Sequence, residues 1–175
     1  IDCAPAYGNE SEVGAAIGET IKAGAVTRED LWVTSKLWNN AHQPDQVLPA
    51  LLKTLHDLRL DYLDLFLIHW PVAFKAEVSY PRSREDWLSL EEAPIIATWK
   101  AMEECVGRGV VRYIGVSNFS IPKLDDLCRH ADIAPARKTD PGELFPWKRL
   151  AQAGHGVRLP QSRLRVCAVG KHHVL

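Results

Sequence analysis

Four mostly apolar runs, residues 1–4, 31–35, 63–69 and 111–117, are separated by stretches whose apolar residues recur at helical spacing. That alternation restricts the chain more than any other feature, because repeated strand and helix units of this size feed a parallel sheet. The runs have few polar positions, as expected of strands covered on both faces. Between the first two, Val13, Ile17 and Ile21 mark a helix, with Asn9 as its N-cap, Glu12 as capping-box partner and Gly24 as its stop. A second helix carries the stripe Leu48, Leu51, Leu52, Leu55 and Leu58. A third carries Ile95, Trp99, Met102 and Val106 and is ended by Gly107 and Gly109. Ser120 is expected to cap a fourth, with Pro122 in its first turn and Leu124, Leu127 and Cys128 facing the sheet. An insertion at residues 72–90 lengthens the third unit.

Periodicity alone leaves two architectures open, a (β/α)8 barrel and an open doubly wound sheet. The polar residues favour the barrel. Lys36, His69 and the pair Ser117 and Asn118 each end or follow a strand, and Tyr7 lies just past the first. Titratable side chains gathered at the C-terminal ends of successive parallel strands are the pattern of a barrel active site.

Charge divides the chain. Residues 1–136 carry 13 Lys and Arg against 20 Asp and Glu, whereas residues 137–175 carry 8 against 2. The step marks two segments of different origin or role, with the boundary before Arg137. The overall net charge of -1 offers no clustered basic face for nucleic acid or an acidic membrane surface, so neither is expected as a partner. Cys3, Cys105, Cys128 and Cys167 are scattered without a C-x-x-C pair and read as reduced thiols. His172 and His173 lack further spaced ligands, so no metal is assigned. No apolar run reaches the roughly 20 residues that span a bilayer, and no leader pattern opens the chain, so a cytoplasmic protein is expected. Met102 is the only methionine, and a natural start upstream of Ile1 is expected.

The polar residues at the strand ends suit carbonyl reduction, which needs a proton donor beside the carbonyl and a bound hydride source. A tyrosine holds its proton at neutral pH, and a buried cation beside it eases donation. Tyr7 and Lys36 are the candidates, with Asp2 as the anion that keeps a buried lysine charged and His69 as the group that orients the carbonyl. Taken singly, each has a structural reading: Asp2 as a turn former, Tyr7 as a packed aromatic, Lys36 as a solvated strand end, His69 as a half-buried histidine. Ser117 and Asn118 alone read as a turn or helix entry.

Their contexts decide otherwise. The strings IDCAPAYGNESEVGAAI at 1–17, VTSKLW at 33–38, LDLFLIHWP at 63–71 and IGVSNF at 114–119 resemble the signatures of the aldo-keto reductase superfamily, in the family's order. The resemblance covers residues 1 to about 136 and implies the family's (β/α)8 barrel, here its second to fifth strands, about half of it. It implies that Tyr7 is the general acid, that Lys36 and Asp2 tune it, and that His69 orients the substrate. Asp2, Ser117 and Asn118 would then meet the cofactor, the last two at the nicotinamide carboxamide. Trp38 and Trp70 match positions lining the substrate pocket, although packing in the core would also account for them. The implied cofactor is NADPH in preference to NADH, held without a Rossmann domain, and the chain has no G-x-G-x-x-G after a strand. The implied partner is a small-molecule carbonyl substrate. Trp87, in the insertion, reads either as part of a loop over the substrate or as a surface anchor. Cys3 reads as a small buried hydrophobe.

After residue 136 the resemblance stops. Neither the expected N-Q-x-E-x-H-P-like run of a sixth strand nor a Lys-rich stretch for the adenosine 2′-phosphate follows. A divergent basic tail takes their place, with one candidate strand at 164–169, and a shifted reading frame, a mis-spliced exon or a truncated gene model would explain it. Half a barrel leaves two sheet edges open, which predicts self-association or poor solubility. The alternative to a reductase is therefore a catalytically inactive reductase-like fragment that acts at most as an interaction or regulatory piece.

Overall fold

The computed structural model describes residues 1–136 and a short strand at Lys138–Thr139. The expected strand at 164–169, Cys167, the His172 and His173 pair and nearly all of the basic tail lie outside the described residues. The elements run β1 (Thr34–Leu37), β2 (Leu63–Ile68), β3 (Ala73–Phe74), β4 (Trp87–Leu88), β5 (Val111–Ser117) and β6 (Lys138–Thr139), with helices α1 (Glu10–Lys22), α2 (Pro44–Leu58), α3 (Ile95–Gly107) and α4 (Ile121–His130).

Strand order decides between the two architectures that periodicity left open. The parallel sheet reads β1-β2-β5-β6, so every new strand adds on the same side of the last. Successive helices pack on one another as well, α1 on α2, α2 on α3 and α3 on α4. A doubly wound sheet would reverse its order at a switch point and send its helices to both faces. The winding here is in one direction with one helical layer, which is the construction of part of a (β/α)8 barrel.

The core lies between sheet and helices. Leu37, Phe66, Ile68, Ile114 and Val116 of the strands meet Val47, Leu51, Leu55, Leu58, Trp99, Met102, Leu124 and Leu127 of the helices, all buried. Each such side chain contributes about 1.5–3 kcal/mol of transfer free energy. Leu52 is not among them: it is 48% exposed, because the packed face of α2 is centred on Val47, Leu51, Thr54 and Leu58. Gly14 lets α1 approach α2 at backbone distance, since a Cβ there would lie 2.6 Å from the carbonyl carbon of Leu58 and would also strike the Asp57 carbonyl oxygen.

Several local expectations shift. The run at 1–4 forms one parallel bridge rather than a strand, with the Cys3 amide donating to the Thr34 carbonyl (2.8 Å) and the Thr34 amide to the Ile1 carbonyl (2.9 Å). β1 starts later than residue 31 because Thr27 and Asp30 close a capping box around the turn Arg28–Asp30. Asn9 does occupy the N-cap of α1, but no side chain closes the cap and the pairing with Glu12 is not made. Glu10 turns inward there instead. The insertion makes its own two-stranded ribbon, with Ala73 opposite Leu88 and Phe74 opposite Trp87. Beyond residue 136, β6 pairs with Val116 and Ser117 and so extends the sheet past the point where the sequence motifs end. Pairing at a sheet edge is made by the main chain, so a strand of two residues needs no apolar run to announce it.

Candidate active site

Lys36 stands on β1 with only 4% of its surface exposed. An ammonium has three protons to donate and no lone pair to accept with, and all three find oxygen. They go to the Asp2 carboxylate (2.5 Å), the Cys3 carbonyl (2.9 Å) and the Tyr7 hydroxyl (3.1 Å). Asp2 keeps 64% of its side chain in solvent, so the pair is a buried cation with a hydrated anion. Tyr7 sits in the turn Pro5–Tyr7, closed by Gly8 at φ 69°, and is 52% exposed. Its ring lies 4.9 Å from the Lys36 nitrogen.

His69 follows β2 and is buried among aromatic rings. It meets Tyr7 edge-on at 6.1 Å, Trp38 edge-on at 5.1 Å and Trp70 in a stacked arrangement at 6.1 Å. Burial, assisted by the Lys36 charge and opposed by Asp2, lowers its pKa from 6.5 to about 4. The ring is neutral at physiological pH. Its Nδ1 is buried without a hydrogen-bond partner.

At the end of β5, Asn118 adopts a left-handed backbone (φ 61°), which asparagine tolerates better than most residues. Its amide nitrogen donates to the His69 carbonyl (2.8 Å) and to the Ser117 hydroxyl (3.0 Å). These bonds tie the rims of β2 and β5, the ring contacts of Trp38 and Tyr7 with His69 add the rim of β1, and Asp2, Tyr7, Lys36, Trp38, His69, Trp70, Ser117 and Asn118 meet at one end of the sheet. Trp38 and Trp70 both touch His69, and Trp70 remains 44% exposed.

Residues 72–90 supply contacts that the sequence did not reveal. The indole Nε1 of Trp38 donates to the Ser79 carbonyl (2.8 Å), and its ring meets Tyr80 at 5.6 Å and Phe74 at 6.2 Å. The Tyr80 hydroxyl donates to the Ala6 carbonyl (3.2 Å), one residue before Tyr7. Trp87, the residue of this segment noted in the sequence, packs edge-on against Phe74 at 4.8 Å and braces the ribbon. Nothing in the local pattern marked Ser79 or Tyr80, because these contacts cross from one strand end to a distant loop. The Cys3 thiol is buried and pushed up to about 11, first by burial and then by the Glu10 and Asp2 charges, so it stays protonated.

Among the described residues no group of His, Cys, Asp and Glu could hold a metal ion, and no helix is long and apolar enough to cross a membrane.

The aldo/keto reductase family model matches residues 1–138. An aldo/keto reductase of Synechocystis is 51% identical over 147 residues, covering 84% of this chain and 44% of that protein. Rat aldo-keto reductase family 1 member A1 is 48% identical over 138 residues, covering 78% of this chain and 42% of that protein. Among solved structures, aldose reductase from Giardia lamblia superposes with a TM-score of 0.74 at 43% identity, covering 79% of this chain and 47% of that one. A Bombyx mori aldo-keto reductase in complex with NADP superposes with a TM-score of 0.68 at 41% identity, covering 79% of this chain and 42% of that one. The chain spans less than half the length of each of these relatives. With the family match reaching from Ile1 to residue 138 and the lysine-centred cluster at its strand ends, the chain belongs to the aldo/keto reductase family.

Proposed function

We propose that this chain carries the proton-transfer and substrate-orienting half of a carbonyl reductase, which converts an aldehyde or ketone to an alcohol at the expense of NADPH. The observation that supports it is the hydrogen bond from Lys36 to Tyr7. Because the ammonium can only donate, the Tyr7 oxygen accepts, and its own proton remains for a carbonyl oxygen placed above the half-exposed hydroxyl. Lys36 also stabilises the phenolate as the proton leaves, and Asp2 is the anion paired with it.

His69 acts as a neutral donor. A neutral imidazole carries one proton, and with Nδ1 buried, Nε2 is the nitrogen that can present it to the same carbonyl oxygen. Trp38 and Trp70, with Tyr80, line the space beside that oxygen with aromatic surface.

A reduced nicotinamide, when bound, supplies the hydride to the carbonyl carbon. The polar groups at the strand ends fit such a ring. With its nitrogen engaged by His69 and Ser117, Asn118 offers its side-chain oxygen to a carboxamide NH2, Ser117 lies beside it, and Asp2 faces solvent at the same rim. NADPH is preferred to NADH on the family resemblance and on the NADP bound by the Bombyx mori relative.

One observation favours the second reading, that of a catalytically inactive piece. Residues 137–175 hold neither the motif of the next family strand nor a Lys-rich stretch for the 2′-phosphate. NADPH consumption with a panel of aldehydes separates the two readings: activity abolished by Tyr7→Phe supports the reductase, and no NADPH binding supports the inactive piece.

A further inference from the structure

Glu10 is the one acidic side chain buried in α1, 5% exposed, and the chemistry above gives it no part. It accepts a hydrogen bond from the Ser35 hydroxyl at 2.6 Å and another from the Thr54 hydroxyl at 3.2 Å, both away from solvent. Burial pushes its carboxyl upward, against the two hydroxyl hydrogen bonds, while the charges of Asp57 and Lys53 on α2 oppose each other. A carboxyl in such a place costs free energy that an apolar side chain of similar size would not. What an apolar side chain could not do is fix a direction and a distance.

The topology shows which distance is fixed. Ser35 and Lys36 are neighbours on β1, and neighbouring strand residues point to opposite faces. Ser35 reaches outward to Glu10 at the start of α1, while Lys36 reaches inward to Tyr7. Glu10 lies three residues after Tyr7, separated from it only by Gly8, in the left-handed region at φ 69°, and Asn9. The connections close a ring. It runs along the backbone from Tyr7 to Glu10, across 2.6 Å to Ser35, through one peptide bond to Lys36, and across 3.1 Å back to Tyr7. Thr54 adds α2 to the same anchor, and Gly14 brings α1 and α2 close enough for it to reach.

We propose that Glu10, clamped by Ser35 and Thr54, is a positioning residue that sets the Tyr7 hydroxyl against the Lys36 ammonium. It touches neither substrate nor cofactor. It acts on Tyr7 through the first turn of α1, and the proposal rests on the reading of Tyr7 as proton donor.

The full chain is tested as Glu10→Gln, Glu10→Ala, Ser35→Ala and the unsubstituted protein. Two measurements are made: kcat and KM for NADPH with an aldehyde, and the pH titration of the Tyr7 ring by NMR with labelled tyrosine, which needs no cofactor. Glu10→Ala is expected to lower kcat about tenfold and Ser35→Ala several-fold, with KM for NADPH unchanged within twofold and the Tyr7 titration displaced in both. Glu10→Gln keeps the hydroxyl contacts and restores both readouts to within twofold of the unsubstituted chain. Should Glu10→Ala and Ser35→Ala fold and leave kcat and the Tyr7 titration unmoved, or should Glu10→Gln lose as much as Glu10→Ala, the proposal is overturned. If no variant and no unsubstituted chain consumes NADPH, the reductase reading fails by itself, and the Tyr7 titration alone decides the role of Glu10.

Discussion

Lys36, on the inner side of β1, donates to the hydroxyl of Tyr7 across 3.1 Å, and Tyr7 is half exposed at the rim while Lys36 is almost wholly enclosed. The cation is shielded and the hydroxyl is open. That division is the one the proposed function needs, with Tyr7 open to a substrate and Lys36 enclosed beside it.

Lys36→Met separates the catalytic value of the ammonium from its value to the fold. Methionine fills similar volume and Asp2 is not left as a buried unpaired charge, but the buried Cys3 carbonyl loses its donor, so stability is expected to fall by about 1–3 kcal/mol. Loss of the cation beside the acid is expected to lower kcat by about 10²–10⁴-fold. Urea unfolding together with steady-state kinetics checks both, and a variant that unfolds without urea contradicts the first expectation.

Acid is expected to destabilise the chain through two histidines. His69 and His42 are both held neutral by burial, each with its pKa lowered from 6.5 to about 4. In the unfolded chain they take up protons as pH falls through about 6.5, while the folded chain does not until about 4. The unfolded state therefore binds more protons in that window, and stability present above it is lost as pH falls. Each histidine accounts for up to about 3 kcal/mol of this loss. Urea midpoints at pH 7 and pH 4.5 measure it, and His42→Gln is expected to reduce the difference without touching the cluster around Lys36.

Trp38→Phe keeps an aromatic wall against His69 but removes the indole donor to the Ser79 carbonyl. One hydrogen bond of this kind contributes about 1 kcal/mol, so KM for a bulky aldehyde is expected to rise roughly fivefold with kcat nearly unchanged. Equal losses in kcat and kcat/KM would instead place Trp38 in the chemical step.

The part of this organisation visible in the sequence is the part that local periodicity and local polarity encode. The four helices, the buried runs of β2 and β5, and the strand-end positions of Lys36, His69, Ser117 and Asn118 follow from spacing along the chain. The family strings around Asp2, Tyr7, Lys36 and His69 identified the family. What stayed hidden depends on contacts between distant segments. Glu10 resembles an ordinary first-turn acid on α1 until Ser35 and Thr54 are brought to it. Tyr80 is an aromatic in an insertion until its hydroxyl meets Ala6. The choice between barrel and doubly wound sheet needed strand order, which no single β/α unit contains. β6 escaped notice because two residues of main-chain pairing leave no apolar signature.

Gly14→Ala tests the close approach of α1 to α2. A Cβ there meets backbone of Asp57 and Leu58 rather than a side chain that could swing away, so the helices must separate. Overpacking of this kind costs about 1–3 kcal/mol, against the small gain in helix propensity that alanine ordinarily brings. A urea midpoint unchanged or raised in Gly14→Ala would show that the two helices do not pack this closely.

That Tyr7 delivers the proton while hydride arrives from nicotinamide is tested most directly by following deuterium from 4-deuterated NADPH into the product alcohol. The unsubstituted chain is expected to place one deuterium on the former carbonyl carbon, and Tyr7→Phe, which retains the ring and loses only the hydroxyl, is expected to form no labelled alcohol above background. Labelled alcohol formed by Tyr7→Phe at the unsubstituted rate would contradict the assignment of Tyr7 as the acid.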